Sequence, residues 1–183
     1  MTDAVATPDA VLAFWREAGS ERWFKADAVF DTEIRKRFLA THAAAAAGQL
    51  TSWEESADGA LALLLALDQF PRNLFRGTAR AFATDARARQ MAERAIERGF
   101  DREFQPPLRN FFYLPYMHSE ELADQERSVA YMRSIGDAEG SKFAEIHRDV
   151  IRRFGRFPHR NEALGHASTP EEIAYLKGGG FRA

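Results

Sequence analysis

The stretch ADGALALLLALDQF, residues 57–70, decides the fold of this chain. Leucine and alanine occupy nearly every side of the helix that it would form, and this pattern is typical of a helix that is buried on all faces. The stretch is also far too short to cross a bilayer as a helix. We therefore predict a central, buried helix against which the rest of the chain packs.

Helical signals dominate the rest of the chain as well. Five residues of the types that cap helix N-termini stand before a proline, an acidic residue or an apolar helical pattern: Thr7, Ser52, Thr84, Ser119 and Thr169. Ser52 with Glu55 is interpreted as a capping box, and Ser119 as the cap of a helix whose first turn holds Glu120 and Glu121. A further helix shows its apolar face at Phe143, Ile146, Val150, Ile151 and Phe154. No convincing alternating strand is present, so the chain is predicted to be all-α.

Short connections between these helices predict antiparallel helical hairpins that stack on one another. No segment is long or polar enough to be a linker, which predicts a single α-helical domain over residues 1–183. Proline cannot continue a helix hydrogen-bond ladder, so Pro71 is expected to interrupt the helix that begins near residue 57.

Composition excludes several classes of function. A net charge of −2 gives no basic field for nucleic acid or for anionic lipid, so neither is expected as a partner. The sequence has no cysteine, which rules out thiol catalysis and fits a reducing cytoplasm. No basic segment precedes an apolar run at the N-terminus, so a secretory signal is not expected either. We predict a cytoplasmic protein, and nothing in the sequence excludes a homo-oligomer.

Two similar polar segments suggest where function lies. DQFPRN ends at Asn73 and GRFPHRN ends at Asn161, and each follows a helical pattern. Arginine and asparagine are costly to bury without partners, so helix termination alone does not account for them. The residues interpreted as donors to an anionic ligand are Arg72, Asn73, Arg76, Arg156, Arg160 and Asn161. The alternative is structural, with an Asp68–Arg72 pair and solvated basic edges.

Candidates for proton transfer are His118, His159, Asp68 and Glu120. His118 stands just before a predicted helix start, but the aromatic run FFYLPYM before it, residues 111–117, is typical of a core. The other histidines, His42, His147 and His166, add no HExxH or comparable spacing, so no metal site is predicted. Because no phosphate-binding glycine motif occurs, no cofactor is predicted.

Three blocks of this sequence resemble the signature blocks of a bacterial family known as domain of unknown function 924. They read LDQFPRNLFRGTARAFATDARA, FFYLPYMHSEELADQERSV and FGRFPHRNEALGHASTPEE, and the resemblance runs from about Val11 to the glycines near the C-terminus. It implies a tetratricopeptide-like α-α superhelical fold, in agreement with the stacked hairpins. It implies no activity, substrate or cofactor.

Three hypotheses about function therefore remain open. The first is a helical binding module whose Arg/His/Asn pocket holds an anionic small molecule, or the carboxylate or phosphate of a peptide. The second is a small-molecule enzyme that uses His118 and His159 with a carboxylate for acid–base chemistry. The third is a purely structural polar network in an interaction scaffold. The sequence leaves open whether any reaction is catalysed.

Overall fold

The computed structural model describes residues 4–182, and within that range the chain is helical and contains no strand, so the all-α prediction is confirmed. The described chain forms two compact units. The first unit comprises the residues up to Arg76 together with Arg80–Pro115, and the second comprises Gly77–Ala79 and the residues from Tyr116 onwards. The single domain and the stacked superhelix stay predictions.

Six helices build most of the first unit. They are α1 (Pro8–Ala18), α2 (Ser20–Trp23), α3 (Ala28–Ala46), α4 (Ala57–Leu64), α5 (Phe70–Leu74) and α6 (Asp85–Glu97). Shorter 3-10 turns lie at Thr51–Glu55, Ala79–Phe82, Phe100–Glu103 and Leu108–Phe112. The helix α7 (Leu114–Met117) contains the point at which the chain enters the second unit. Thr7 caps α1 by accepting a hydrogen bond from the backbone N–H of Ala10, as predicted.

The stretch at residues 57–70 is the core of the first unit, and every residue in it except Asp58 is buried. Its helix begins later than the predicted capping box, because Ser52 lies inside a 3-10 turn. Ser56 is the cap, since its backbone is extended and its hydroxyl accepts a hydrogen bond from the N–H of Gly59. A side chain at Gly59 would begin 2.3 Å from the carbonyl oxygen of Trp53, so glycine is required where the turn meets the helix.

The expectation that Pro71 interrupts the helix is wrong. A π-helical turn at Leu65–Gln69 joins α4 to α5, and the N–H of Phe70 donates to the carbonyl of Leu65. Proline has no N–H for the carbonyl of Leu67 four residues earlier. The hydroxyl of Thr84 donates to that carbonyl instead, at 2.5 Å, so the helix continues through the proline with its acceptor satisfied.

The second unit is built on the pair α8 (Leu122–Ser134) and α9 (Ala138–Phe154), which pack along each other. The pair is followed by a 3-10 turn at Pro158–Arg160, α10 (Asn161–Leu164) and α11 (Pro170–Lys177). Gly155 ends α9 in the left-handed conformation, at φ 68°. The predicted capping box at Thr169 and Glu172 is confirmed at the start of α11.

Two details of the second unit differ from the sequence predictions. Ser119 does not cap α8, which begins at Leu122 with Glu121 as its N-cap. The hydroxyl of Ser119 accepts from the N–H of Glu121 and donates to Asp124, so it shapes the turn before the helix. Phe143 was placed on the buried face of α9 but is 46% exposed, because that face runs instead through residues such as Ala144 and His147.

Candidate functional site

The first Phe-Pro segment lies in a carboxylate-rich part of the first unit. Both terminal nitrogens of Arg72 donate to the carboxylate of Asp85, at 2.9 and 3.0 Å, and Arg72 also lies 3.4 Å from Asp68. Burial works against the charge of Arg72, but these two carboxylates outweigh it and raise its pKa. Asp68 accepts a further bond from the amide of Gln69. A bidentate ion pair thus joins α5 to α6, and the π-helical turn adds Asp68 beside it.

The rest of this segment binds a third carboxylate. The amide nitrogen of Asn73 donates to Asp31 at 2.8 Å, and the guanidinium of Arg76 donates to both oxygens of Asp31 at 2.9 Å. Asp31 lies in the first turn of α3, remote in sequence. Arg72, Asn73 and Arg76 were predicted to bind a ligand, and the structure places all three against acidic side chains of their own unit.

The second Phe-Pro segment is organised around a buried carboxylate. Glu172, only 2% exposed, accepts from the guanidinium of Arg156 at 2.6 and 2.8 Å and from the amide of Asn161 at 3.2 Å. It also closes the capping box through the N–H of Thr169. These bonds, the one from Arg156 above all, lower the pKa of Glu172 to about 2. Arg156 and Asn161 therefore bind α11 to the segment that comes before it in the chain.

The remaining predicted residues of the second unit come together around two phenylalanines. We call this group the histidine cluster, and it consists of His118, His147, His159, Arg160, Phe157 and Phe181. The rings of His118 and His147 lie 6.4 Å apart between centroids, and those of His147 and His159 lie 5.6 Å from the ring of Phe157. The guanidinium of Arg160 stacks on the same ring at 4.6 Å.

Backbone contacts fix the geometry of the cluster. His118 directly follows α7, and its carbonyl accepts from Arg160 at 3.1 Å. Glu120, two residues later, accepts from the N–H of Phe157 at 2.8 Å. His159 and Arg160 belong to the 3-10 turn that follows. These two contacts hold that turn, with His159 and Arg160, against the segment before α8.

The pKa of His147 reflects the burial and the charges of the cluster. It is 7% exposed, and its Nδ1 lies 2.7 Å from the carbonyl oxygen of Phe143, so Nδ1 holds the proton and Nε2 keeps its lone pair. Burial lowers the pKa of His147 to about 3, and repulsion from His118, His159 and Arg160 contributes. Burial disfavours any charge at this point, and the three basic neighbours add to the cost of a proton there.

Sequence reasoning missed two members of the cluster. His147 was considered only as a metal ligand, although its place on the apolar face of α9 indicates a buried polar side chain. Phe181 follows the glycines at 178–180, and its ring lies 4.2 Å from that of His147. Within residues 4–182, no group of three histidine or acidic side chains could hold a metal ion.

Comparison with known proteins agrees with the all-α fold. A solved structure, of a protein of unknown function from Agrobacterium tumefaciens, matches with a TM-score of 0.91 and 47% sequence identity, covering 93% of this chain and 97% of that one. No curated protein matches the sequence. Among the helices described, none is both long and apolar enough to cross a membrane. The model of the family described as "Bacterial protein of unknown function (DUF924)" matches residues 11–180, and the chain belongs to that family.

Proposed function

We propose that the protein is a helical binding module whose second unit binds a small anionic ligand, or the carboxylate or phosphate of a peptide, at the histidine cluster. The observation that supports this most is the gathering of His147, His159 and Arg160 around the ring of Phe157, with His118 beside His147. Imidazole and guanidinium N–H groups are the usual donors to carboxylate and phosphate.

The other predicted donors support a division of roles. Arg72, Asn73 and Arg76 bind carboxylates of the first unit, and Arg156 and Asn161 bind Glu172. Their partners favour a structural role. Arg160, which stacks on Phe157 and donates to the carbonyl of His118, is the arginine that lies beside the histidines. We infer that the two Phe-Pro segments share helix-terminal chemistry and that the second one also contributes the ligand site.

The acid–base enzyme has less support than the binding module. Glu120, the carboxylate nearest in sequence to His118, accepts a backbone hydrogen bond from Phe157, and Asp68 pairs with Arg72 in the other unit. A pKa near 3 also makes His147 a weak base at neutral pH. The absence of cysteine and a net charge of −2 support a cytoplasmic protein that acts on small anions or peptides rather than on nucleic acid.

Calorimetric titration with inorganic phosphate and with acetate tests the proposal. The parent protein should bind at least one of these anions at pH 6.5. Arg160→Gln and His159→Gln should each bind about tenfold more weakly, because one charge-assisted hydrogen bond contributes about 1.5–3 kcal/mol. His166→Gln is the matched control, since His166 is an exposed histidine of the same unit outside the cluster. Equal affinity in all four proteins would place the anion elsewhere.

A further inference from the structure

We propose that the first unit has a second binding site, formed by Arg35 and Arg80, and that this site binds a peptide segment of another protein with two neighbouring acidic side chains. Arg35 lies in α3, and Arg80 lies in the 3-10 turn at Ala79–Phe82. We call these two residues the arginine pair. The site is independent of the histidine cluster, because both residues belong to the first unit.

The two guanidinium groups of the arginine pair lie beside one aromatic ring. The guanidinium carbon of Arg80 lies 3.8 Å from the centroid of the ring of Phe75, and that of Arg35 lies 6.0 Å from it. Arg35 also donates a hydrogen bond to the carbonyl of Leu74 at the end of α5. Phe75 is 8% exposed, so its ring is a firmly packed support. A guanidinium that stacks on a ring keeps its N–H groups at its edge, and the exposure of both arginines opens those groups to solvent.

The arginine pair differs from a neighbouring arginine in having no carboxylate partner. Arg76, four residues before Arg80, donates to both oxygens of Asp31. Within residues 4–182, neither Arg35 nor Arg80 forms an ion pair or donates to another side chain. Burial lowers the pKa of His42, and the charge of Arg80 contributes, so this charge acts on the adjoining interior. The two positive charges therefore form a local site for acidic groups that the described residues do not supply.

Two carboxylates on one peptide fit this site better than a single small anion. An exposed ion pair contributes at most about fivefold to affinity, so one anion gains little, whereas two carboxylates on one backbone act together. Side chains two residues apart in an extended peptide lie on the same side, about 7 Å apart, which suits two guanidiniums beside one ring. The net charge of −2 gives no long-range attraction for a nucleic acid. The partner is therefore a protein segment of the type Glu-X-Glu or Asp-X-Asp.

NMR titration at low ionic strength tests the site, because exposed ion pairs are then screened least. The probe is the peptide Gly-Glu-Gly-Glu-Gly with both ends blocked, and Gly-Gln-Gly-Gln-Gly is its neutral control. The side-chain Nε–H resonances of Arg35 and Arg80 should shift together with the acidic peptide and saturate at one dissociation constant. The neutral peptide should move neither resonance.

Substitutions distinguish the arginine pair from a general attraction to positive charge. Arg35→Gln and Arg80→Gln should each bind the acidic peptide about threefold to fivefold more weakly than the parent, as expected for the loss of one exposed ion pair. Arg37→Gln is the matched control, because Arg37 is an exposed arginine of the same helix whose guanidinium lies 5.1 Å from the ring of Phe14 instead. It should bind the peptide like the parent.

Three results would overturn the proposal. Unmoved arginine resonances with the acidic peptide would show that the pair binds no such segment. An equal loss of affinity in Arg37→Gln would show a diffuse attraction instead of a site. If inorganic phosphate or oligothymidylate shifted the two resonances as the peptide does, the site would accept any anion and the choice of an acidic peptide would be wrong. The histidine cluster has its own resonances, so its failure is seen separately.

Discussion

Protonation of His147 should destabilise the protein by an amount that follows from its surroundings. The pKa of this histidine falls from an ordinary 6.5 to about 3 in the folded protein, mainly through burial. The unfolded chain therefore takes up the proton first, so stability is complete above pH 6.5 and decreases as the pH falls towards 3. Over the 1.5 pH units between 6.5 and 5, at about 1.4 kcal/mol per unit, His147 alone costs about 2 kcal/mol.

Urea unfolding at pH 7.5 and at pH 5.0, followed by circular dichroism at 222 nm, measures this loss. The three tryptophans lie at positions 15, 23 and 53, all in the first unit, so their fluorescence would not report on the second unit. His147→Gln keeps an N–H for the carbonyl of Phe143 but cannot be protonated, so it should lose about 2 kcal/mol less than the parent over this range. Glu172 does not interfere, because a carboxylate whose pKa is lowered to about 2 loses its contribution only below pH 4.5.

The control for this prediction is His166→Gln, which alters an exposed histidine of the same unit and should keep the pH dependence of the parent. A direct reading comes from the proton NMR resonance of the His147 ring, which should not titrate between pH 8 and pH 4.5. A midpoint near 6.5, or an identical loss of stability in His147→Gln and the parent, would refute the positive, desolvated environment assigned to the cluster.

Two further predictions concern the framework of the units. Glu172→Gln should lower the free energy of unfolding by about 2–3 kcal/mol, because the buried amide of Asn161 and the half-buried guanidinium of Arg156 lose their charged acceptor. Glu171→Gln, at an exposed ion pair, should cost less than about 1 kcal/mol in the same urea experiment. Equal effects would contradict the network around Glu172. Thr84→Val should lower the free energy of unfolding by about 1–3 kcal/mol, because it leaves the carbonyl of Leu67 without this donor. Urea unfolding followed by tryptophan fluorescence measures the loss, and Thr32→Val should lose less, since the hydroxyl of Thr32 donates to an exposed carbonyl. If Thr84→Val has no effect, this bond does not support the helix through the proline.

Local sequence signals predicted the fold class and most helix starts. Thr7 and Thr169 cap the helices that their neighbours indicated, because a cap and its N–H partner lie within three residues. Ser52 fits the capping-box pattern yet lies inside a 3-10 turn, whereas Ser56 is the cap although glycine, not glutamate, stands three residues after it. The passage of the helix through Pro71 depends on Thr84, which is distant in sequence and gives no local signal.

The polar residues of the site were found by their density, but apart from Asp68 beside Arg72 their partners were not. Asp31, Asp85 and Glu172 lie 42, 13 and 11 residues from Asn73, Arg72 and Asn161, and no periodicity connects positions so far apart. The sequence therefore could not show which side chain each arginine contacts, because those contacts follow only from the packed fold.

The central claim is that the histidine cluster binds an anion, and the side-chain NMR spectrum of ¹⁵N-histidine-labelled protein tests it most directly. On titration with inorganic phosphate, the imidazole nitrogens of His118, His147 and His159 should shift together and saturate at one dissociation constant. Those of His42 in the first unit and His166 outside the cluster should stay unchanged. If the cluster resonances do not move, or if all five histidines drift in parallel without saturation, the cluster does not bind phosphate and the account is wrong.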